Sequence, residues 1–349
     1  MDLKNIQWGE FFIEDLFFTK IGKSIDGNKI NKKSGKVAYI TRKESNNGLD
    51  GFINDDKSMM NNDFPVITIG NETAEPFVQN SPFFTGTKVN ILKPKSKISK
   101  YSLAFIAQCL KGHKAKFSYS FTINSTRLKR QKILLPITLE GEPDYAFMEQ
   151  FMQQKEQEKL EKFQNYVSKR IDEVKDFQAV EPLNEKEWGE FKLQDLFNFE
   201  KGNQNNMTAL KRGSVPLISA KKGENGLKNL VSKNNKKIFS KNCLTLNNDG
   251  DGGAGISYYQ PYSFLLDSHV TCLYSKENLN KPTLLFITRC ITKQRGKFGH
   301  GYALTDNRLK AFKLMLPINQ NGNPDYEYME NYIKKLEFEK LMKYLSLKQ

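Results

Sequence analysis

One block of nine residues occurs twice in this chain, 181 positions apart. Gly141-Glu-Pro143-Asp144-Tyr145-Ala-Phe-Met148-Glu149 returns as Gly322-Asn-Pro324-Asp325-Tyr326-Glu-Tyr-Met329-Glu330. After the first copy, apolar residues stand at Leu160, Phe163, Val167, Ile171, Val174 and Phe177. Those steps of three and four place them on one stripe of a helix. Pro143 and Asp144 open it and Pro182 closes it, which predicts a helix from Asp144 to Gln178, about 50 Å long at 1.5 Å per residue and too long for an ordinary core helix. The second copy continues with Ile333, Leu336, Leu341 and Tyr344. A narrow apolar stripe needs a partner to cover it, and each long helix is the nearest candidate for the other, so antiparallel pairing is expected.

The repetition extends over nearly the whole chain. Trp8-Gly9-Glu10-Phe11 with Asp15-Leu16-Phe17 returns as Trp188-Gly189-Glu190-Phe191 with Asp195-Leu196-Phe197, and these hold both tryptophans of the sequence. Val37 to Ile40 matches Val215 to Ile218, each followed by an Asn-Gly pair at Asn47-Gly48 and Asn225-Gly226, which reads as a strand and a turn. Pro65 to Ile69 and Cys243 to Leu246 read as strands, and Leu103 to Leu110 and Leu284 to Ile291 as helical segments. Similarity then holds at a constant offset through Phe117/Phe298, Arg127-Leu128-Lys129/Arg308-Leu309-Lys310 and Leu135-Pro136-Ile137/Leu316-Pro317-Ile318. Framework segments match and the polar loops between them do not, as in a scaffold carrying two different recognition surfaces. The expected fold is α/β (α+β): two duplicated recognition domains over residues 1–143 and 181–324, joined by spacer helices over 144–180 and 325–349 and related by a pseudo-two-fold axis.

The formal charge of +15 points to a polyanionic partner. No apolar run reaches the length of a membrane span and no signal-peptide pattern opens the chain, so a cytoplasmic protein without membrane contact is expected. The four cysteines, Cys109, Cys243, Cys272 and Cys290, form no CxxC pair and have only His113, His269 and His300 for company, which disfavours a zinc site or a disulfide framework. Cys109 and Cys290 are repeat equivalents in apolar segments and read as buried free thiols.

The enzyme-like motifs fail their structural context. Gly250-Asp-Gly252-Gly-Ala-Gly255 matches GxGxxG, but the strand-like Ile256-Ser-Tyr-Tyr follows where a dinucleotide site needs a helix, so a strand–turn–strand loop is expected. Gly22-Lys23-Ser24 lacks the upstream glycine of a P-loop. No Asn/Asp-Pro-Pro-Tyr/Phe segment of an adenine methyltransferase occurs, and the Pro-Asp pairs at 143 and 324 have no Glu-x-Lys companion. Asp144 and Asp325 are expected to be helix caps, and no catalytic or metal residue is assigned.

The positive case lies in the loops. Residues 117–127 and 298–308 are equivalent and mix aromatics, hydroxyls, amides and an arginine, groups that contact phosphates and base edges. The candidate DNA contacts are Lys116, Tyr119, Thr122, Asn124, Arg127 and Lys129 in the first copy, and Lys297, His300, Tyr302, Thr305, Asn307 and Arg308 in the second. Arg127 and Arg308 stand at one position in diverged copies, which suits a backbone contact or a framework role, including a salt bridge within the domain. Diverged loops add Arg42, Lys43 and Asn47 against Lys221, Lys222 and Asn225, and Asn71 to Gln79 against Asn247 to Gly255, including Asn248. These are the candidates for sequence discrimination.

The paired Trp-Gly-Glu-Phe openings, the Arg-Leu and Leu-Pro-Ile closings and the Pro-Asp-Tyr helix starts resemble the specificity (S) subunit of Type I restriction–modification systems. S subunits of some Type IIB enzymes look similar. The resemblance implies two target-recognition domains, each reading half of a bipartite site in double-stranded DNA, with the helices as a ruler between them. It further implies a chain without a catalytic centre or cofactor of its own, docked to methyltransferase (M) subunits, two of them expected, and through these to a restriction (R) subunit. S-adenosylmethionine, ATP and magnesium are expected in those partners. The second long helix is about ten residues shorter than the first, leaving its far end unpaired or completed by another chain. Two other classes stay open: a stand-alone DNA-binding protein, and a nuclease with an unrecognised centre.

Overall fold

A computed structural model describes residues 2–33, 35–117, 121–249, 253–299 and 302–346. The chain divides into two compact units, residues 1–164 and 165–349. The first contains β1 (Trp8–Phe12), α1 (Ile13–Leu16), β2 (Phe17–Ile21), β3 (Val37–Ile40), β4 (Leu49–Ile53), β5 (Val66–Gly70), β6 (Pro76–Gln79), β7 (Phe83–Thr85), β8 (Val89–Pro94), α2 (Lys100–Lys111), α3 (Ser125–Lys129) and β9 (Lys132–Pro136), followed by the start of α4 (Tyr145–Val174). The second repeats that order as β10 (Trp188–Lys192), α5 (Leu193–Leu196), β11 (Phe197–Lys201), β12 (Arg212–Ile218), β13 (Leu227–Val231), β14 (Cys243–Asn247), β15 (Ser257–Gln260), β16 (Leu265–Leu266), β17 (Val270–Ser275), α6 (Lys281–Lys293), α7 (Asp306–Lys310), β18 (Lys313–Pro317) and α8 (Tyr326–Ser346).

The duplication therefore holds at the level of sheet topology. Each unit has a four-stranded antiparallel sheet, β2-β8-β5-β6 or β11-β17-β14-β15; a three-stranded mixed sheet, β4-β3-β7 or β13-β12-β16; and a two-stranded ribbon, β1-β9 or β10-β18. The ribbons share one register, Trp8 opposite Pro136 and Trp188 opposite Pro317. The helix α2 is started by Ser99, whose hydroxyl accepts from Ser102 N–H at 3.1 Å, and α6 by Asn280, which accepts from Thr283 N–H at 3.0 Å. Leu103, Ile106 and Leu110, like Leu284, Ile287 and Ile291, then face the core at helical spacing and are buried against the sheets. Both tryptophan rings stack on the helix, Trp8 on Phe105 and Trp188 on Phe286.

The long helices begin as expected. Asp144 accepts from Phe147 N–H at 2.9 Å and Asp325 from Tyr328 N–H at 3.0 Å, while Met148 and Met329 are fully buried anchors. The end of α4 is a correction: it stops at Val174, not Gln178, giving 30 residues and about 45 Å. The cause lies on α8. Asn331 accepts the Gln178 N–H at 3.1 Å, Glu327 accepts from its side-chain amide, and Phe177 packs on Phe338, so this segment is held by α8 rather than by its own helix. The antiparallel sense is evident within the second unit: Arg170 meets Glu337, Gln178 meets Asn331, the Glu181 carbonyl accepts from Tyr328 Oη–H, and Lys186 pairs with Asp325.

All four thiols are free. Cys243 and Cys272 are buried with their sulfurs 3.3 Å apart. Cys109 and Cys290 are only half-buried, a second correction, because their helical positions lie where the edge of the core meets a surface groove; burial still pushes both thiols up to about 11. No helix among the described residues is long and apolar enough to cross a membrane.

Candidate nucleic-acid interface

The Asn-Gly turns are built alike in the two units. Asn46, Asn47 and Gly48, and Glu224, Asn225 and Gly226, are three consecutive residues in the left-handed region. Gly48 and Gly226 also lie where a Cβ would press on Ile40 or Ile218, so glycine is required twice over. Asn47 Nδ2 donates to Val78 O and Gln79 Oε1, and Gln79 Nε2 donates back to Asn47 O and to Thr68 Oγ1. Asn225, Tyr259, Gln260 and Thr245 reproduce this clasp. The amide donors expected to reach bases are thus engaged inside the domain, where they lock the turn to the strand beside it. Gln79 and Gln260 were missed as partners, although the offset of 181 already holds between them.

The arginine-bearing loops also share one construction. Arg127 Nη1 donates to Thr122 O at 2.7 Å and its guanidinium lies 4.0 Å from the Phe121 ring centre; Arg308 Nη1 donates to Ala303 O at 2.7 Å and lies 3.7 Å from the Tyr302 ring centre. A main-chain carbonyl and an aromatic face hold each guanidinium, which fits the framework role, with no salt bridge needed to hold it. Asn124 and Thr305 cap α3 and α7 by accepting from the arginine N–H groups. The loops are pinned from below as well, Ile123 N–H donating to Asn71 O and Leu304 N–H to Asn248 O, both at 2.8 Å. Asn248 is itself buried and accepts from Thr271 Oγ1, so it supports the loop rather than projecting from it. Tyr119 and His300 lie outside the described residues, as do Gly250 to Gly252 of the glycine-rich loop, which connects two antiparallel strands, β14 and β15.

Exposed groups remain around these supports. Lys116, Lys129, Lys222, Lys297, Tyr302, Thr305 and Asn307 are exposed and Thr122 is half-buried. The two units differ in charge here. In the first, Arg42 pairs with Glu72, Lys43 with Asp50, and Lys111 and Lys114 with Glu75. Burial pushes the Glu75 carboxyl up, but its two lysine partners hold it below the ordinary value. In the second, Lys221 pairs with Glu224, and Lys222 has no ion pair among the described residues. Among the described residues no group of three or more His, Cys, Asp or Glu could hold a metal ion.

The sequence model of the Type I restriction–modification DNA specificity domain matches the chain twice, over residues 5–165 and 185–349. The chain belongs to this family. It is a specificity subunit of a restriction–modification system, and its two family domains coincide with the two copies of the repeat. It is 38% identical over 334 residues to the specificity subunit S.BcgI of a Type II restriction enzyme from Heyndrickxia coagulans, covering 95% of each chain. Its fold is similar to the crystal structure of a Type I restriction–modification S subunit from M. genitalium, with a TM-score of 0.55 at 17% identity over 99% of this chain and 93% of that one.

In the second domain of this specificity subunit, Asp249 of the diverged loop stands against His269. His269 Nδ1 lies 2.9 Å from Asp249 Oδ2, and this hydrogen bond raises the imidazole above 6.5 against a smaller desolvation. The pair's stabilisation is complete below pH 6.5 and is lost as pH rises through the raised value. Replacing Asp249→Asn is expected to bring the His269 midpoint back toward 6.5 in an NMR titration of the ring protons. A midpoint that stays put would show that Asp249 does not set it.

Proposed function

We propose that the two domains read the two halves of a bipartite double-stranded DNA site, and that the chain contributes recognition while its partners contribute chemistry. The observation that carries this reading is the contrast between support and loop. The clasps, the caps and the arginine seats are the same in both domains, while the segments they hold differ in sequence and charge. Shared supports suit contacts with the uniform phosphate backbone, and differing loops suit different base sequences. Recognition domains over 1–143 and 181–324 are held in register by spacer segments over 144–180 and 325–349. Two methyltransferase subunits, and through them a restriction subunit, dock on this chain and bring S-adenosylmethionine, ATP and magnesium. The complex works in the cytoplasm, where bound methyltransferases flip a base out of each half-site. The 38% identity with a Type II specificity subunit favours a second version, in which the partners form a Type IIB-like enzyme.

Modified-base sequencing of host DNA with the gene intact and deleted tests the reading. Loss of one bipartite methylated motif on deletion is the expected result and reveals both half-sites. Survival of every methylated motif would overturn it.

A further inference from the structure

Beside each arginine-bearing loop stands an acid–base pair whose side chains take no part in its support. The loop over 298–308 is pinned to Asn248, whose own N–H donates to His269 O at 2.9 Å; the loop over 117–127 is pinned to Asn71, whose N–H donates to Lys88 O at 3.0 Å. Lys88 and His269 are therefore structural equivalents, each the last residue before an inner strand, β8 or β17. The residue after each asparagine is a carboxylate that faces this base: Glu72 Oε1 lies 3.7 Å from Lys88 Nζ, and Asp249 Oδ2 lies 2.9 Å from His269 Nδ1. The two basic side chains are 63% and 61% exposed. Their surroundings differ. Arg42 also pairs with Glu72, whereas its counterpart in the second domain is Ala220. The repeat offset rises from 177 at Asn71 and Asn248 to 181 at Lys88 and His269, so the loop after Asp249 is four residues longer.

A cation beside a carboxylate gains little from the phosphate backbone, which repels that carboxylate. It keeps an oriented N–H donor, which suits guanine N7 and O6 in the major groove. Asp249 offers only acceptor oxygens, so His269 Nδ1 carries the hydrogen between them and Nε2 is left for another partner. Nε2 donates only while the ring is protonated, whereas the Lys88 ammonium donates throughout the physiological range. We infer that Lys88 and His269 each read a guanine in their own half-site, and that the second reading is gated by protonation. This rests on the functional reading above and deepens it. The charged groups facing His269 are Asp249 and Asp267, which favour the protonated ring, and Lys201 of β11, which opposes it. Guanine reading by the second domain is then present at low pH and lost as pH rises through the His269 midpoint.

The test repeats modified-base sequencing in hosts carrying variants, and measures binding of the assembled enzyme to a duplex with the motif so found. Thermal melting checks folding. His269→Ala is expected to relax one guanine of the second half-site and leave the first intact, and Lys88→Ala the converse. Each should lose about tenfold or more in affinity for the duplex. The unsubstituted enzyme should lose about as much between about pH 6 and about pH 8.5, and His269→Lys, which keeps a donor, should show no such fall. Should an alanine variant fail to fold, that loss of pH dependence still reports on His269. An unchanged motif in folded alanine variants would overturn the assignment, as would relaxation at a base other than guanine. Uniform weakening without relaxation would make these phosphate contacts and overturn it too. A pH dependence that survives in His269→Lys would overturn the gate. Every methylated motif surviving deletion of the whole gene would overturn the functional reading itself, and this assignment with it.

Discussion

Deleting residues 163–169 from α4 is expected to abolish modification of the original bipartite site and to create a shorter one. Seven residues remove about 10 Å of helix, the length of about 3 base pairs. Because seven residues are close to two turns, Ile171 and Val174 return to the stripe that begins at Leu160, and Arg170 keeps its side of the helix. The change thus acts on length and leaves the apolar face in phase. Three base pairs also rotate one half-site by about 100° around the duplex, since a full turn takes about 10.5 pairs. Only one domain can then engage the original site, and modification there should fall by about a hundredfold or more. Methylation sequencing of cells carrying the deletion would show the new spacing. An unchanged motif at full modification would show that the helix is not the ruler.

The second large effect concerns the hold of α8 on the chain before the second domain. Arg170 meets Glu337 through two parallel contacts, Nε to Oε1 at 2.6 Å and Nη2 to Oε2 at 2.9 Å, with side chains 14% and 26% exposed. Removing one member of a fully buried pair costs about 3–5 kcal/mol; this one keeps some solvent, so Glu337→Ala should cost about 2 kcal/mol. Urea unfolding followed through Trp188 in a Trp8→Phe background measures it. An unmoved midpoint would show that Glu173, the other carboxylate on Arg170, takes over. The same pair fixes a pH dependence. The Arg170 hydrogen bonds hold the Glu337 carboxyl below 4.5 against the opposing effect of burial. Its contribution is therefore present above pH 4.5 and lost as pH falls through the depressed value. Glu337→Gln should flatten that acid limb.

What could be read from the sequence followed from local rules. The caps Asp144 and Asp325 and the helices α2 and α6 depend on neighbours a few residues away, and the duplication displays each of them twice. The roles of Asn47, Asn225, Arg127 and Arg308 depended on geometry that residue type does not reveal. An asparagine beside a glycine looks free to reach DNA until Gln79 or Gln260 is seen closing on it from a strand more than thirty positions away. An arginine in a polar loop looks like a phosphate contact until a carbonyl five residues earlier is found to hold it. The end of α4 was misplaced because the groups that capture Gln178 come from a helix that begins nearly 150 residues later.

The ribbons β1-β9 and β10-β18 join the first and last strands of each domain, Trp8 beside Pro136 and Trp188 beside Pro317. Each domain is therefore tied off where the chain enters and leaves it, like a loop of rope drawn through a single knot. Such a module can be exchanged for a relative's without disturbing the strand order inside the other domain. On the proposed reading of one half-site per domain, new sequence preferences can then arise by trading whole domains rather than by the slow alteration of single side chains.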